Sequence, residues 1–249
     1  MLVERYQILR ELGQGGFGKT YLAKDILLPD KQHCVVKQFE PPVNLPQEAF
    51  EQARRSFERE AIVLNDIGRE HPQIPRLLAY FENNGQFFLV QEYIEGHDLS
   101  KEIEAGKPLP ETEVIKLLDE VLGILEFVHQ RNIIHRDIKP SNIMRRDKDG
   151  KLFLIDFGTV KQQIPTEMVT VAGEVKSQFA FGSEGYTPYE QLKLNPKLAS
   201  DIYALGMMAI FALTGIPPNQ IPEDRETGQF KWRDRIYTNS LQFLKLVYK

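Results

Sequence analysis

"IIHRDIKPSNIM", residues 133–144, sets a polar run between two apolar pairs, Ile133-Ile134 and Ile143-Met144. Polar side chains in such a setting need partners, while the flanking pairs favour burial. The stretch reads as a loop pinned into a core at both ends, where polar residues serve a purpose beyond solvation. Further along comes "LFLIDFGTV", residues 152–160, an apolar strand ending in Asp156-Phe157-Gly158. A carboxylate at the end of a buried strand, with glycine behind it to let the chain turn, suits an exposed metal ligand. Read alone, Asp156 is equally a turn-capping aspartate and Arg136 a salt-bridge partner. Upstream, "GQGGFGKT", residues 13–20, follows the alternating run "YQILREL". Glycine weakens a strand pair, so this segment is either a tight hairpin or a place where a ligand needs the backbone close.

The rest of the chain changes pattern once. Up to about residue 94 it reads mostly as strands: "YQILREL", "GKTYLAKD", "HCVVKQF", and the pair "RLLAYFE" and "QFFLVQEYI" joined by the hairpin signal Asn83-Asn84-Gly85. One helix interrupts them, "QEAFEQARRSFEREAIVLNDIG", with Ala53, Phe57, Ala61 and Leu64 at helical spacing. Glu60 falls on that apolar stripe. It either pairs with a cation, for which Lys37 in the buried-looking strand "HCVVKQF" is the best candidate, or lies solvated at the stripe's edge. Beyond residue 100 helices dominate. "ETEVIKLLDEVLGILEFVHQ" carries Val114, Leu117, Val121, Leu125 and Val128 on one face. The expected fold class is α+β: a small, mainly β lobe over 1–94 and a larger, mainly helical lobe over 95–249.

Bulk properties narrow the function classes. Lys and Arg number 31 against 35 Asp and Glu, for a net charge of −4, which argues against nucleic acid as a partner. The one cysteine, Cys34, excludes an internal disulfide framework and suits a reducing cytoplasm, the expected location. "MLVERYQILR" has no apolar core of a signal peptide, and the longest apolar stretch, "IYALGMMAIFALTGI" at 202–216, is short for a membrane span. A buried core helix is the reading for that stretch.

Taken together and in this order, the glycine-rich loop, the strand lysine, the helix glutamate, the His-Arg-Asp loop and the Asp-Phe-Gly turn resemble the protein kinase family. The likeness covers roughly residues 6 to 216, and is nearest to eukaryotic-type serine/threonine kinases of bacteria, cyanobacteria in particular, through "HPQIPRLLAYFE". It implies a bilobal kinase fold, ATP with Mg²⁺ (Mn²⁺ as an alternative), and protein substrates bearing a serine or threonine hydroxyl. Carried over by position, Gly13, Gly15, Gly16, Phe17 and Gly18 would form a phosphate lid. Lys37, oriented by Glu60, would hold the α- and β-phosphates, and Asp156 and Asn142 would bind the metal. Asp137 would act as the base and Lys139 would steady the γ-phosphate. Gln91 would guard the back pocket, with the backbone of Glu92 and Ile94 pairing with the base and Asp98 bonding the ribose. Val35 and Met144 would sandwich the ring beside Thr20, which stands where the family usually has valine. Asp201 would brace the catalytic loop, with Ser200 capping its helix and Gly215 ending it.

Departures cluster late in the chain. The family's Ala-Pro-Glu reads Pro188-Tyr189-Glu190, and Ser177, Thr170 and Thr166 are the hydroxyls nearest the usual activation phosphosite. The stretch after Gly215 is short for the family, about half the usual length for a domain of ~250–300 residues. None of Arg225, Arg233 and Arg235 stands in the expected context of the arginine that pairs with Glu190. The expectation is an incomplete helical lobe, a carboxylate without its partner, and an apolar patch around Tyr203, Met207 and Phe211 that favours self-association. The alternative function is therefore a catalytically impaired, nucleotide-binding scaffold.

Overall fold

The computed structural model describes residues 4–15, 18–41, 44, 46–159, 161–162, 182–224, 226–227 and 229–235. The chain forms two compact units, Met1–Glu95 with Ile155–Gly158, and Gly96–Leu154 with Thr159–Lys249. The Asp-Phe-Gly tripeptide thus packs with the first unit although most of its neighbours in sequence belong to the second.

The first unit is built on a five-stranded antiparallel sheet of order β1-β2-β3-β5-β4. Its strands are β1 (Tyr6–Gly15), β2 (Gly18–Asp25), β3 (His33–Phe39), β4 (Leu77–Asn83) and β5 (Gln86–Glu92), with α1 (Gln47–Ile67) between β3 and β4. Asn84 and Gly85 both have positive φ, 51° and 75°, as a two-residue type I′ hairpin turn requires. Period-2 alternation divides β3 between two environments. Cys34 and Val36 join Tyr6, Ala23, Phe88 and Val90 in one cluster. Phe39, of the other parity along with Val35 and Lys37, meets Phe57 of α1 at 5.4 Å and Phe50 at 5.8 Å between ring centroids. Because Glu60 follows Phe57 by three residues, it shares the helix face that these rings turn toward β3. The Cys34 thiol is fully buried, and burial pushes its pKa up to about 11, so it is a core residue and no nucleophile.

The second unit carries β6 (Gly96–Asp98), α2 (Glu111–His129), β7 (Ile133–Ile134), β8 (Ile143–Arg146), β9 (Leu152–Leu154), β10 (Lys161–Gln162), α3 (Tyr189–Leu192) and α4 (Leu198–Thr214). Strands β6, β8 and β9 form one small sheet, and β7 pairs with β10 in another. The predicted stripe on α2 is buried throughout, and α2 packs against α4 and β9. Helix α4 is the stretch read as a core helix, and Ala204, Leu205, Met208, Ala209 and Ala212 are buried on it. No helix among the described residues is long and apolar enough to cross a membrane. Gly215 ends α4 at φ 67°, and its carbonyl accepts from Gly106 N–H at 2.8 Å, pinning the chain ahead of α2.

Two expectations for this unit are corrected. Ser200 is not the N-cap of α4: the helix begins at Leu198 with Lys197 in the cap position, and the Ser200 hydroxyl accepts the Lys197 N–H at 3.0 Å from inside the first turn. Met207 is buried, so the expected apolar patch is reduced to Tyr203, 38% exposed, and a half-buried Phe211. Residues 236–249, on which the expectation of an incomplete helical lobe rests, lie outside the described residues.

Candidate functional site

Lys37 sits in β3 opposite Thr20 of β2 and Leu89 of β5, which holds its backbone on both sides. Its ammonium donates to Glu60 Oε1 at 2.5 Å and to Asp156 Oδ1 at 2.9 Å. The sequence left Glu60 between an ion pair and a solvated edge. The structure selects the pair, with Glu60 only 3% exposed. Burial pulls the Lys37 ammonium down, but Asp156 and Glu60 outweigh it, and its pKa is raised. Burial pushes the Glu60 carboxyl up against the opposing pull of Lys37. The Lys37 ammonium is therefore shared between two carboxylates.

Asp156 adopts the left-handed region at φ 66°, a conformation uncommon outside glycine. Its side chain is 49% exposed, in contrast to Glu60. Among the described residues no group of three or more His, Cys, Asp or Glu side chains could hold a metal ion. A hard cation bound through one or two protein oxygens and completed by a ligand's phosphates needs no such cage. In the first unit the half-exposed Asp156 carboxylate is a donor of the right kind for that mode, and in the second unit the Asn142 amide oxygen, taken by itself, is another.

The second unit assembles its own polar cluster. Asp137 Oδ2 accepts from Lys139 Nζ at 2.8 Å and from Asn142 Nδ2 at 2.9 Å. Asn142 Nδ2 also donates to the Asp137 carbonyl at 2.7 Å, which commits the amide nitrogen and leaves Oδ1 available as an acceptor. Asp137 Oδ1 accepts from Ser183 Oγ at 2.9 Å, and Ser183 Oγ in turn accepts from Lys139 Nζ at 2.8 Å. Ser183 was not singled out from the sequence. The preceding Gly182 stands at φ 136°, where a Cβ would come within 2.1 Å of Thr187 Oγ1, but that requirement is visible only in the structure.

The loop holding Asp137 is fastened from behind. Asp201, fully buried near the start of α4, accepts from the backbone N–H of His135 at 2.9 Å and of Arg136 at 2.8 Å, and from His129 Nε2 at 2.8 Å. Gln191 Nε2 donates to the Arg136 carbonyl at 2.7 Å. Arg136 has φ 73°, and bonds on both its N–H and its carbonyl hold it in that strained region. Asp201 thus braces the loop as expected, and Gln191, unanticipated, completes the brace. Glu190 is half-buried and accepts from Ser200 Oγ at 2.7 Å, a neutral partner in the place where the family's arginine was expected.

The expected nucleotide contacts fall on both units. Gln91 is 5% exposed in β5, opposite Val35, and its Oε1 has no hydrogen-bond partner among the described residues, a buried acceptor that a ligand's N–H could satisfy. The Ile94 N–H is likewise uncommitted among the described residues, whereas the Glu92 N–H donates to the Arg76 carbonyl at 2.9 Å. Met144 lies in β8 opposite Asp98 of β6, and Asp98 caps the following turn by accepting from Ser100 N–H at 2.9 Å. Gly13 pairs with Thr20 and Gly15 with Gly18 across the β1–β2 hairpin, while Gly16 and Phe17 lie outside the described residues, as do Thr166, Thr170 and Ser177.

The glycines separate into two kinds. A Cβ on Gly18 would come within 2.1 Å of the Gln38 carbonyl oxygen, whereas a Cβ on Gly13 would meet nothing within 4 Å. Gly18→Ala is therefore expected to destabilise the fold by about 1–3 kcal/mol through a displaced strand pair. Gly13→Ala should leave stability within ~0.5 kcal/mol. If Gly13 serves ligand approach, its substitution lowers ATP affinity without moving the melting temperature. Melting curves with and without Mg²⁺ and ATP separate the two, and an equal loss of stability in both variants would contradict this assignment.

Comparison with known proteins agrees with the geometry. A protein kinase domain model matches residues 6–245. The chain is 45% identical over 247 residues to serine/threonine-protein kinase B of Synechocystis sp., covering 98% of this chain and 42% of that protein. It is 42% identical to serine/threonine-protein kinase PknA of Nostoc sp., over 93% of this chain and 41% of that protein. Against serine/threonine-protein kinase PrkC of Bacillus subtilis the identity is 33%, over 90% of this chain and 32% of that protein. The chain thus spans less than half the length of these relatives.

Proposed function

The chain belongs to the protein kinase family, as a eukaryotic-type serine/threonine kinase domain of the bacterial kind, and from that premise we propose that it transfers the γ-phosphate of ATP to serine or threonine hydroxyls of proteins. The observation that carries this reading is the Lys37 ammonium shared by a buried Glu60 and a half-exposed Asp156. ATP supplies the phosphoryl group, and a divalent cation, Mg²⁺ or Mn²⁺, supplies charge neutralisation between its phosphates. Asp156 and Asn142 would hold that cation. Lys37 binds the α- and β-phosphates, with Glu60 keeping its side chain extended toward them. Gly13, Gly15, Gly16, Phe17 and Gly18 bring backbone amides to the phosphates. The backbone of Glu92 and Ile94 meets the base edge, Gln91 guards the back pocket, Val35, Thr20 and Met144 lie at the base's faces, and Asp98 at the ribose.

Asp137 orients the substrate hydroxyl and accepts its proton, while Lys139 and Ser183 fix the direction of its carboxylate. Transfer of this kind asks mainly for positioning and charge stabilisation, which ammonium, amide and carboxylate groups supply. Incubation with γ-labelled ATP and Mg²⁺, then Mn²⁺, with casein or a small alcohol as acceptor, tests the reading. The expected result is metal-dependent label on phosphoserine or phosphothreonine of the protein. Label confined to the small alcohol, or none on either acceptor, would overturn it.

A further inference from the structure

Ser56 lies mid-helix in α1, one turn before Glu60 and next to Phe57, whose ring packs on Phe39. A serine in that position ordinarily bonds back to its own helix or to water. Here its Oγ donates to the carbonyl of Gly158 at 2.8 Å, 102 residues along the chain. Gly158 lies close to the cluster: a Cβ there would come within 3.1 Å of Glu60 Oε2 and 3.4 Å of Asp156 Oδ1. The tripeptide Asp156–Gly158 is thus tied to β3 through Lys37 and Asp156 and to α1 through Ser56 and Gly158, with Phe157 between them fully buried. Asp156 holds an uncommon backbone conformation, at φ 66°, that only its surroundings can maintain.

We propose that Ser56 is a positioning residue: its hydroxyl hooks the Gly158 carbonyl to α1, so that Asp156 stays with Lys37 and Glu60 as one cluster. The attachment itself stands on geometry alone, and its consequence for nucleotide use rests on the phosphotransferase reading. Without the hook, Asp156–Gly158 loses the tie between its Gly158 end and α1 and opens more often, while the helix, in which alanine is the most favourable residue, stays formed.

The test compares the parent with Ser56→Ala and Ser56→Thr. In the nucleotide-free protein, amide hydrogen exchange over residues 155–159 is expected to quicken by about five- to tenfold in Ser56→Ala, the effect of one lost hydrogen bond on a local opening. The melting temperature should fall by no more than ~2–4 °C. Ser56→Thr, which keeps a hydroxyl, should restore slow exchange. In the same preparations the KM for Mg²⁺-ATP is expected to rise about three- to tenfold in Ser56→Ala and return in Ser56→Thr, each variant at its own saturating protein substrate. Unchanged exchange over 155–159 in Ser56→Ala overturns the hook. Quickened exchange with an unchanged KM overturns its role in positioning. A parent that transfers no phosphate counts against the phosphotransferase reading, while exchange still decides the hook.

Discussion

Asp137→Asn is expected to lower kcat by about 10²–10⁴-fold, the range over which a positioned general base contributes, while ATP affinity changes by less than about threefold. The substitution keeps the shape of the side chain. The local hydrogen bonds dictate how the new amide must sit. Two donors, Lys139 Nζ and Asn142 Nδ2, converge on the Oδ2 position, so the amide oxygen takes that place. Its NH₂ then faces Ser183 Oγ, which already accepts from Lys139. The acceptor that would receive the substrate proton is thereby replaced by a donor, while Asp201 and Gln191 continue to hold the loop. Steady-state kinetics beside calorimetric ATP titration checks this. A variant with the parent's kcat would remove Asp137 from the role of base.

Lys37→Met is expected to abolish measurable transfer, a loss of at least about 10²–10³-fold for one missing electrostatic contact to the reacting phosphates. It should also destabilise the protein in a pH-dependent way, because Glu60 stays buried without its cation. Breaking a buried pair by removing one partner costs about 3–5 kcal/mol in general. The sign follows from the two shifts. The raised pKa of Lys37 means that its contribution is complete below the ordinary lysine value and is lost only as pH climbs through the higher folded value, so between pH 5 and 8 it is constant. The raised pKa of Glu60 means that ionising it opposes folding as pH rises through the window above the ordinary glutamate value. Removing Lys37 takes away the pull that lowers that carboxyl, so the window widens upward. The stability deficit of Lys37→Met against the parent should therefore be smaller at pH 5 than at pH 8. Glu60→Gln added to the same variant should flatten that dependence. Denaturant melts at the two pH values test it, and a deficit independent of pH would mean that Glu60 is solvated once Lys37 is gone.

Much of this protein was legible from residue order alone. Alternation marked the strands, the 3.6-residue stripe of Val114, Leu117, Val121, Leu125 and Val128 marked α2, and Asn84-Gly85 marked the hairpin, since each signal is spent within a few residues of where it is written. The order of the glycine-rich, lysine, glutamate, His-Arg-Asp and Asp-Phe-Gly segments was enough to name the family. The state of individual side chains was not. Glu60 could be solvated or paired until the rings of Phe39 and Phe57 turned its helix face to β3. Glu190 accepts the hydroxyl of Ser200, which in turn sits inside the first turn of α4 rather than at its cap. Ser183 and Ser56 carry no local pattern at all, and their partners stand 46 and 102 residues away. Periodicity is a short-range property that the sequence by itself determines. Which hydroxyl reaches which carboxylate or carbonyl depends on how distant segments close on one another, and that was decided only when the tertiary packing of hydrophobic side chains brought them within hydrogen-bonding distance.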